Sequence, residues 1–310
     1  MNLKKPKFWD YKKPNIYSFL LLPFSLLVKL YTHIKVTPKN KKNKIKTICI
    51  GNIYVGGTGK TSLCIKINKI LNDKNIKSCF IKKDHKNQID EQKILKNNGK
   101  LFLAQNRMEA IKQAEKENYE FAIFDDGLQD KSIDYDIIFV CFNNINWIGN
   151  GMTIPSGPLR EDINNLKKYD HICLNGNLEN LNNLKEQIFK INSKINIHIA
   201  KYEPINLNEF NKEDNYLVFS GIGNHKTFIS MIKNYGLNVL MDIEFPDHYK
   251  YSDKDIANIL KQASDLNCEI ITTEKDYLRL NNKNLNKIKF IKSELNLINE
   301  DKLIQNIIKL

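Results

Sequence analysis

Along the chain, apolar and polar positions follow three regimes. An apolar segment, Ile16-Tyr-Ser-Phe-Leu-Leu-Leu-Pro-Phe-Ser-Leu-Leu-Val28, comes first and is followed by Lys29. It is too short to span a bilayer, which takes about 20 residues, and Pro23 interrupts it. From Lys46 short apolar runs alternate with helix-like stretches. The runs are Thr47–Ile53, Ser78–Ile81, Phe121–Phe124, Ile137–Phe142 and His171–Leu174, and Leu63–Leu71 and Met108–Lys116 read as helices between them. Such alternation predicts a mostly parallel sheet with helices on its faces. After the polar stretch Asn206–Asn215 a second set follows: Tyr216–Ser220, Val239–Phe245, Glu269–Thr273 and Ile288–Ile291, with Asp255–Ser264 helical. The expected organisation is an N-terminal segment over residues 1–35, a larger α/β unit over 36–205 and a smaller α/β unit over 206–310.

The first run ends in a glycine cluster, Gly51-Asn-Ile-Tyr-Val-Gly-Gly-Thr-Gly-Lys-Thr61, followed by Ser62 and a helix-like segment. This is the pattern of a phosphate-binding loop. Glycine amides can close on an anion because no Cβ obstructs them, and the following helix directs its positive end at the same place. Val55, Gly56, Gly57, Thr58, Gly59, Lys60, Thr61 and Ser62 are the candidate nucleotide contacts, with Lys60 as a point charge and the Thr61 hydroxyl as a Mg²⁺ ligand. The usual pattern has glycine at position 54, where this chain has Tyr54. A second apolar run closes in Asp125-Asp126-Gly127. In P-loop enzymes a buried strand delivers an aspartate to Mg²⁺ at such a point; the alternative is a strand ending in an Asp-Gly turn.

Charge and composition alter this picture little. The 310 residues suit two domains. The formal net charge of +13 suggests an anionic partner, yet only Arg107, Arg160 and Arg279 of the 48 basic residues are arginine. The lysines are dispersed and no basic motif interleaved with aromatics appears, which argues against nucleic acid. Where arginine does occur in so lysine-rich a chain, a planar two-pronged donor is expected to be needed. The six cysteines lie far apart without a C-x-x-C pair, and the histidines lack zinc-site spacing, so neither a disulfide frame nor a zinc centre is expected. Phe8, Trp9, Tyr17 and Tyr31, with Lys4, Lys5, Lys7, Lys12 and Lys13, give the N-terminal segment the character of an interfacial anchor; the alternative is a helix packed on the protein's own core. Residues Lys39–Lys46 read as a basic linker, and Asn211-Lys-Glu-Asp214, which mimics a guanine-reading signature, as coincidence.

Further candidates sit at strand ends and turns. Gln129 and Arg160, the latter in Ser156-Gly-Pro-Leu-Arg160, are candidate phosphate or substrate contacts. Phe245-Pro-Asp247-His248-Tyr249 offers a histidine beside an acid, Gly221-Ile-Gly223 a small turn, and Thr272-Thr-Glu-Lys-Asp276 a charged strand end followed by Arg279.

In this order, and together with Ile89-Asp90-Glu91, these stretches resemble the tetraacyldisaccharide 4'-kinase (lipid A 4'-kinase) family over nearly the whole chain. Tyr54 is itself like the family. The resemblance implies a P-loop α/β fold with a smaller C-terminal α/β domain, and a site between them. It implies transfer of the γ-phosphate of ATP, with Mg²⁺, to the 4'-hydroxyl of an acylated glucosamine disaccharide 1-phosphate at the cytoplasmic face of an inner membrane. Asp90 would be the base, with His248 as its partner and Lys60 completing the catalytic set; Thr61, Asp125 and Asp126 would hold Mg²⁺. The chain is read as a monomer. Departures from the family pattern fall at Lys82–His85, Leu128, Asp130, Ser62 and His225. The competing function is a membrane-associated P-loop ATPase acting as a nucleotide-dependent switch; Val55, where such ATPases carry a further lysine, argues against it.

Overall fold

The structure, a computed structural model, describes residues 5–34, 44–84, 88–281 and 286–309. Lys4, most of the stretch Lys39–Lys46, His85 and the side chain of Tyr31 lie outside the described residues. In chain order the elements are α1 (Ile16–Leu20), α2 (Leu22–Ile34), β1 (Lys46–Gly51), α3 (Lys60–Asp73), β2 (Ser78–Lys83), α4 (Ile89–Asn98), β3 (Leu101–Ala104), α5 (Arg107–Lys116), β4 (Phe121–Asp125), β5 (Ile137–Asn143), β6 (His171–Asn175), α6 (Leu181–Ile191) and β7 (Asn196–Pro204). They continue with β8 (Asn215–Ser220), α7 (His225–Asn234), β9 (Asn238–Glu244), α8 (Asp253–Asp265), β10 (Glu269–Thr273), α9 (Glu274–Tyr277), β11 (Lys289–Ile291), β12 (Ser293–Ile298) and α10 (Glu300–Ile308).

The described strands form two sheets. The larger has the order β12-β7-β6-β5-β1-β4-β2-β3 and is parallel except for β12, which runs antiparallel to β7. The smaller has the order β11-β10-β8-β9 and is parallel throughout. The fold is therefore the expected P-loop-type α/β sheet with a second, smaller sheet. β1 lies between β4 and β5 at the centre, so its run Thr47–Ile50 is buried on both faces, as parallel strands require. α3 packs Leu63, Cys64, Ile67, Ile70 and Leu71 on one face of this sheet, at the spacing that places residues on one side of a helix. The opposite face is covered by two clusters, one around Val140, Phe142, Leu174 and Ile188, the other around Cys79, Ile81, Phe102 and Ile111. All six cysteines are free.

The sequence reading omits β3, β7 and β12. β12 matters most. Together with α10 it returns to the larger sheet, pairing Leu295 with Tyr202 and burying Leu303 and Ile307 against α3's cluster. The span 206–310 therefore contains two elements of the larger unit, β12 by sheet order and α10 by packing, and the chain crosses between sheets twice. A four-residue apolar alternation, as in Leu295–Ile298, carries no signal for which sheet it joins.

The N-terminal segment packs in reverse of an ordinary amphipathic helix. Its small polar residues face the protein: Ser25 Oγ donates to Thr153 O at 2.9 Å, and Asn150 Nδ2 donates to Ser18 Oγ at 3.0 Å. Its large residues, including Ile16, Phe19, Leu20, Phe24 and Leu27, are exposed. Trp9 is tied down, with Nε1 donating to Pro155 O at 3.0 Å. No helix among the described residues is long and apolar enough to cross a membrane.

Candidate active site

The loop after β1 is built by one buried side chain. Asn52 Nδ2 donates to Tyr54 O at 2.6 Å, Gly56 O at 3.2 Å and Thr58 Oγ1 at 2.9 Å. Tyr54 turns its ring inward, 2% exposed, and its hydroxyl donates to Asp10 Oδ1 at 2.8 Å. This explains a tyrosine where the common motif has glycine: the side chain anchors the loop from behind and leaves the anion face to Val55–Ser62. Gly59 has φ +80°, and a Cβ there would lie 2.7 Å from Asn175 Nδ2; only glycine meets both conditions. Thr58 O accepts from Asn175 Nδ2 at 2.8 Å and Ser62 Oγ from Tyr202 at 3.3 Å. On its outer side the loop touches the smaller sheet. A Cβ on Gly223 would collide with Gly57 N, and Asn224 Nδ2 donates to Gly57 O. The Gly221–Gly223 turn is thus a packing partner of the loop itself.

β4 delivers its two acids to different places. Asp125, fully buried, accepts at Oδ2 from Thr61 Oγ1 at 3.1 Å and from Lys82 Nζ at 2.7 Å. Its Oδ1 is buried and has no hydrogen-bond partner. Asp126, with φ +59°, accepts at Oδ1 from Arg160 Nη1 at 2.8 Å and lies 3.8 Å from Lys60 Nζ. Burial would raise the Asp126 carboxyl, but Lys60 and Arg160 outweigh it and hold it below the ordinary carboxylate range. Arg160 Nη1 also reaches Gln129 Oε1 at 3.1 Å, so both candidate substrate contacts stand beside Asp126.

The second acidic pair opens α4. Asp90 Oδ2 accepts from Arg279 Nη2 at 2.5 Å and lies 3.3 Å from His248 Nδ1. Burial works against the charged form, but the His248 hydrogen bond and the Arg279 charge hold Asp90 well below its ordinary value. His248 sits in the left-handed region at φ +56°, a strained conformation for histidine that clusters at functional sites. Its burial favours the neutral ring, yet Asp90 and Asp247 keep its pKa above the ordinary value. Glu91 accepts from Lys82 Nζ at 2.8 Å and Lys275 Nζ at 3.1 Å. Burial opposes its ionisation, but Lys275 and Lys82 together hold it well below the ordinary range. Asp90 and His248, far apart in sequence and on different units, are therefore in contact, and the chain Thr61–Asp125–Lys82–Glu91 links them to the phosphate-binding loop.

Lys82, Glu91 and Lys275 carry no role in the sequence reading. Lys82 is 2% exposed, and its only signal is a lysine directly after the apolar run Ser78–Ile81. Among the departures from the family pattern, Asp130 pairs with Arg107 at 3.0 Å, and His225 joins Ser220 Oγ and Asp242 Oδ2, each at 2.7 Å. The Asn211–Asp214 stretch forms a local turn, with Asn211 Nδ2 donating to Asp214 at 3.1 Å.

Among the described residues no group of three or more His, Cys, Asp or Glu side chains could hold a metal alone. Mg²⁺ in phosphoryl transfer needs only one or two carboxylates, with substrate phosphates and water completing the shell. The unpartnered Asp125 Oδ1 beside the Thr61 hydroxyl fits such an ion.

Comparison with known proteins places the chain among relatives of one family. A family model described as tetraacyldisaccharide-1-P 4'-kinase matches residues 17–310. The chain is 59% identical over 310 residues to the tetraacyldisaccharide 4'-kinase of Pelagibacter ubique (strain HTCC1062), covering 100% of this chain and 99% of that protein. It is 32% identical over 327 residues to the protein of the same name from Rickettsia akari (strain Hartford), covering 100% and 98%. A solved structure described as the "apo" form of LpxK from Aquifex aeolicus in complex with ATP superposes with a TM-score of 0.70 at 22% identity, over 95% of this chain and 99% of that one; at that identity the likeness concerns the fold.

Proposed function

The chain belongs to the tetraacyldisaccharide-1-P 4'-kinase family, and we infer from that membership that it is a kinase of lipid A biosynthesis, transferring the γ-phosphate of ATP to the 4'-hydroxyl of a tetraacyldisaccharide 1-phosphate. The observation that carries the reading is the meeting of Asp90 and His248, from opposite units, beside a network of Glu91, Lys82 and Asp125 that runs to Thr61 of the phosphate-binding loop. The loop amides of 55–62 and Lys60 hold the β- and γ-phosphates. Thr61, Asp125 and Asp126 would hold Mg²⁺, and the ion, when bound, would supply charge neutralisation for those phosphates. Arg160 and Gln129, on Asp126, flank the transferred group. Asp90 accepts the proton of the sugar hydroxyl as its oxygen bonds to phosphorus. The bond to the β–γ bridging oxygen breaks with its electrons, and ADP leaves. A carboxylate held so far below the ordinary range is a weak base, but a loose phosphoryl transition state asks mainly for orientation of the nucleophile.

The outward apolar face of α1 and α2 supports association with the surface of the inner membrane on its nucleotide-containing side, where an acylated substrate resides. Replacing Phe19, Phe24 and Leu27 together by serine leaves the Ser18 and Ser25 contacts in place and is expected to reduce sedimentation with anionic vesicles; unchanged sedimentation would remove this reading. The enzyme is proposed to act as a monomer.

The decisive experiment is incubation with labelled ATP, Mg²⁺ and a tetraacylated disaccharide 1-phosphate in detergent. A bisphosphorylated lipid is the expected product. ATP hydrolysis without it would instead favour a nucleotide-dependent switch.

A further inference from the structure

The chain has only three arginines, and each grips an acid of the site or its surroundings together with a second acceptor. Arg107 takes Asp130 and Asp126 O, and Arg160 takes Asp126 and Gln129. Arg279, three residues beyond Asp276, reaches furthest. Its Nη1 donates to Gly221 O at 2.7 Å and Asp276 Oδ1 at 2.8 Å, and its Nη2 donates to Asp90 Oδ2 across the gap between the two units. The platform beneath it is rigid. Asp276 is fully buried and accepts from Gly221 N at 3.0 Å, Tyr251 Oη at 2.8 Å and Thr273 Oγ1 at 2.7 Å. The guanidinium is thus locked before Asp90 meets it. Only a planar fork can reach a carbonyl, a buried carboxylate and a second carboxylate at once.

We infer that Arg279 is a positioning residue for phosphoryl transfer: it holds Asp90 by Oδ2 and leaves Oδ1 as the oxygen that receives the acceptor hydroxyl. The contacts of Asp90 with Arg279 and His248 both fall on Oδ2. The charged groups around Asp90 are Glu91 on its own helix, Lys275 and Arg279 on and just after α9, and Asp247 and His248 after β9. Arg279 and His248 share its Oδ2, so removal of the guanidinium leaves the carboxylate freer to rotate and to bind a proton. The inference rests on the kinase reading with Asp90 as base.

The test is the pH profile of kcat and of KM for ATP in the parent, Arg279→Lys and Arg279→Met. For Arg279→Met we expect kcat to fall about ten- to a hundred-fold, the scale of a misplaced reacting group, with KM for ATP within about two-fold. The acid limb of kcat should move up by about one to three pH units, the range a lost neighbouring charge produces. Arg279→Lys keeps a charge but cannot span three acceptors, so its kcat should lie between the two and its acid limb closer to the parent's. A purely structural role would act through the Gly221 turn, which packs on the phosphate-binding loop, and would raise KM for ATP instead. That result, an unmoved acid limb in Arg279→Met, or a parental kcat in Arg279→Lys would each overturn the inference. If Arg279→Met does not fold, the kcat and acid limb of Arg279→Lys decide. If the parent makes no bisphosphorylated lipid, or Asp90→Asn is fully active, the kinase or base reading fails separately.

Discussion

The two consecutive acidic pairs, Asp125-Asp126 and Asp90-Glu91, are alike in sequence and put to different uses. Each pair divides its shortest contacts between different basic groups, although His248 also lies 3.9 Å from Glu91. Asp125 faces inward to Lys82 and keeps one oxygen unpartnered, while Asp126 faces Lys60 and Arg160. Asp90 meets Arg279 and His248, while Glu91 meets Lys82 and Lys275. Adjacent carboxylates would repel; distributing them among cations from five segments removes the repulsion and gives each a separate environment. One member of each pair, Asp125 and Glu91, is bound by the same Lys82. The phosphate side and the acceptor side of the site are therefore held by a single buried ammonium.

The largest expected effect separates the pairs by function. Asp90→Ala should lower kcat by about 10²–10⁴-fold, the range for loss of a general base, while KM for ATP stays near the parental value. Asp125→Ala should impair nucleotide binding in Mg²⁺ as well as turnover. Equal loss of kcat and ATP affinity in Asp90→Ala would make both pairs nucleotide ligands and dissolve the contrast.

Next comes the shared lysine. Lys82→Met strips Asp125 of its ion pair in the interior and leaves Glu91 with Lys275 and the more distant His248. Removing one partner of a buried pair costs about 3–5 kcal/mol, read as a lower urea midpoint of the nucleotide-free protein. A loss below about 1 kcal/mol would mean that the two sides are not joined through Lys82.

The smallest effect is on acid stability. Asp90, Glu91 and Asp126 are all held below their unfolded values. Their stabilisation is therefore present above the unfolded carboxylate pKa of about 4 and is lost as pH falls through the folded values. His248 has the opposite sign: its pKa is raised, so its contribution is full below about 6.5 and fades as pH rises through the folded value. Glu91→Gln should reduce the stability difference between pH 7 and pH 3, measured by denaturant titration at each pH. An undiminished difference would show that Glu91 is not among the groups that set acid stability.

Much of the fold was legible because its signals are local. The apolar runs around Ile48, Phe80, Phe124 and Phe139 are buried strands, and the glycine cluster lies where a strand passes into a helix. β12 was not legible, since a short alternating segment can pair with either sheet and only the neighbouring edge decides. Of the site, the phosphate-binding loop could be read from residue types and spacing alone. His248 stood out beside Asp247 at a strand end, but Asp90 and its pairing with His248 entered only through resemblance to a family, because an acid at a helix start is common. Lys82 and Lys275 were hidden among 45 lysines, most of which the composition explains without any role.

By itself the sequence determined a doubly covered parallel sheet, a glycine loop for an anionic phosphate, and acids at strand ends: features set by backbone sterics and by apolar periodicity over a few residues. Only the tertiary structure decided which cation each acid meets. Those partners come from positions as far apart as Asp90 and Arg279, and ion pairing depends on distance in space. The environments of the four carboxylates follow from that folding, and the metal-ligand and base roles proposed for them rest on the charge placed beside each.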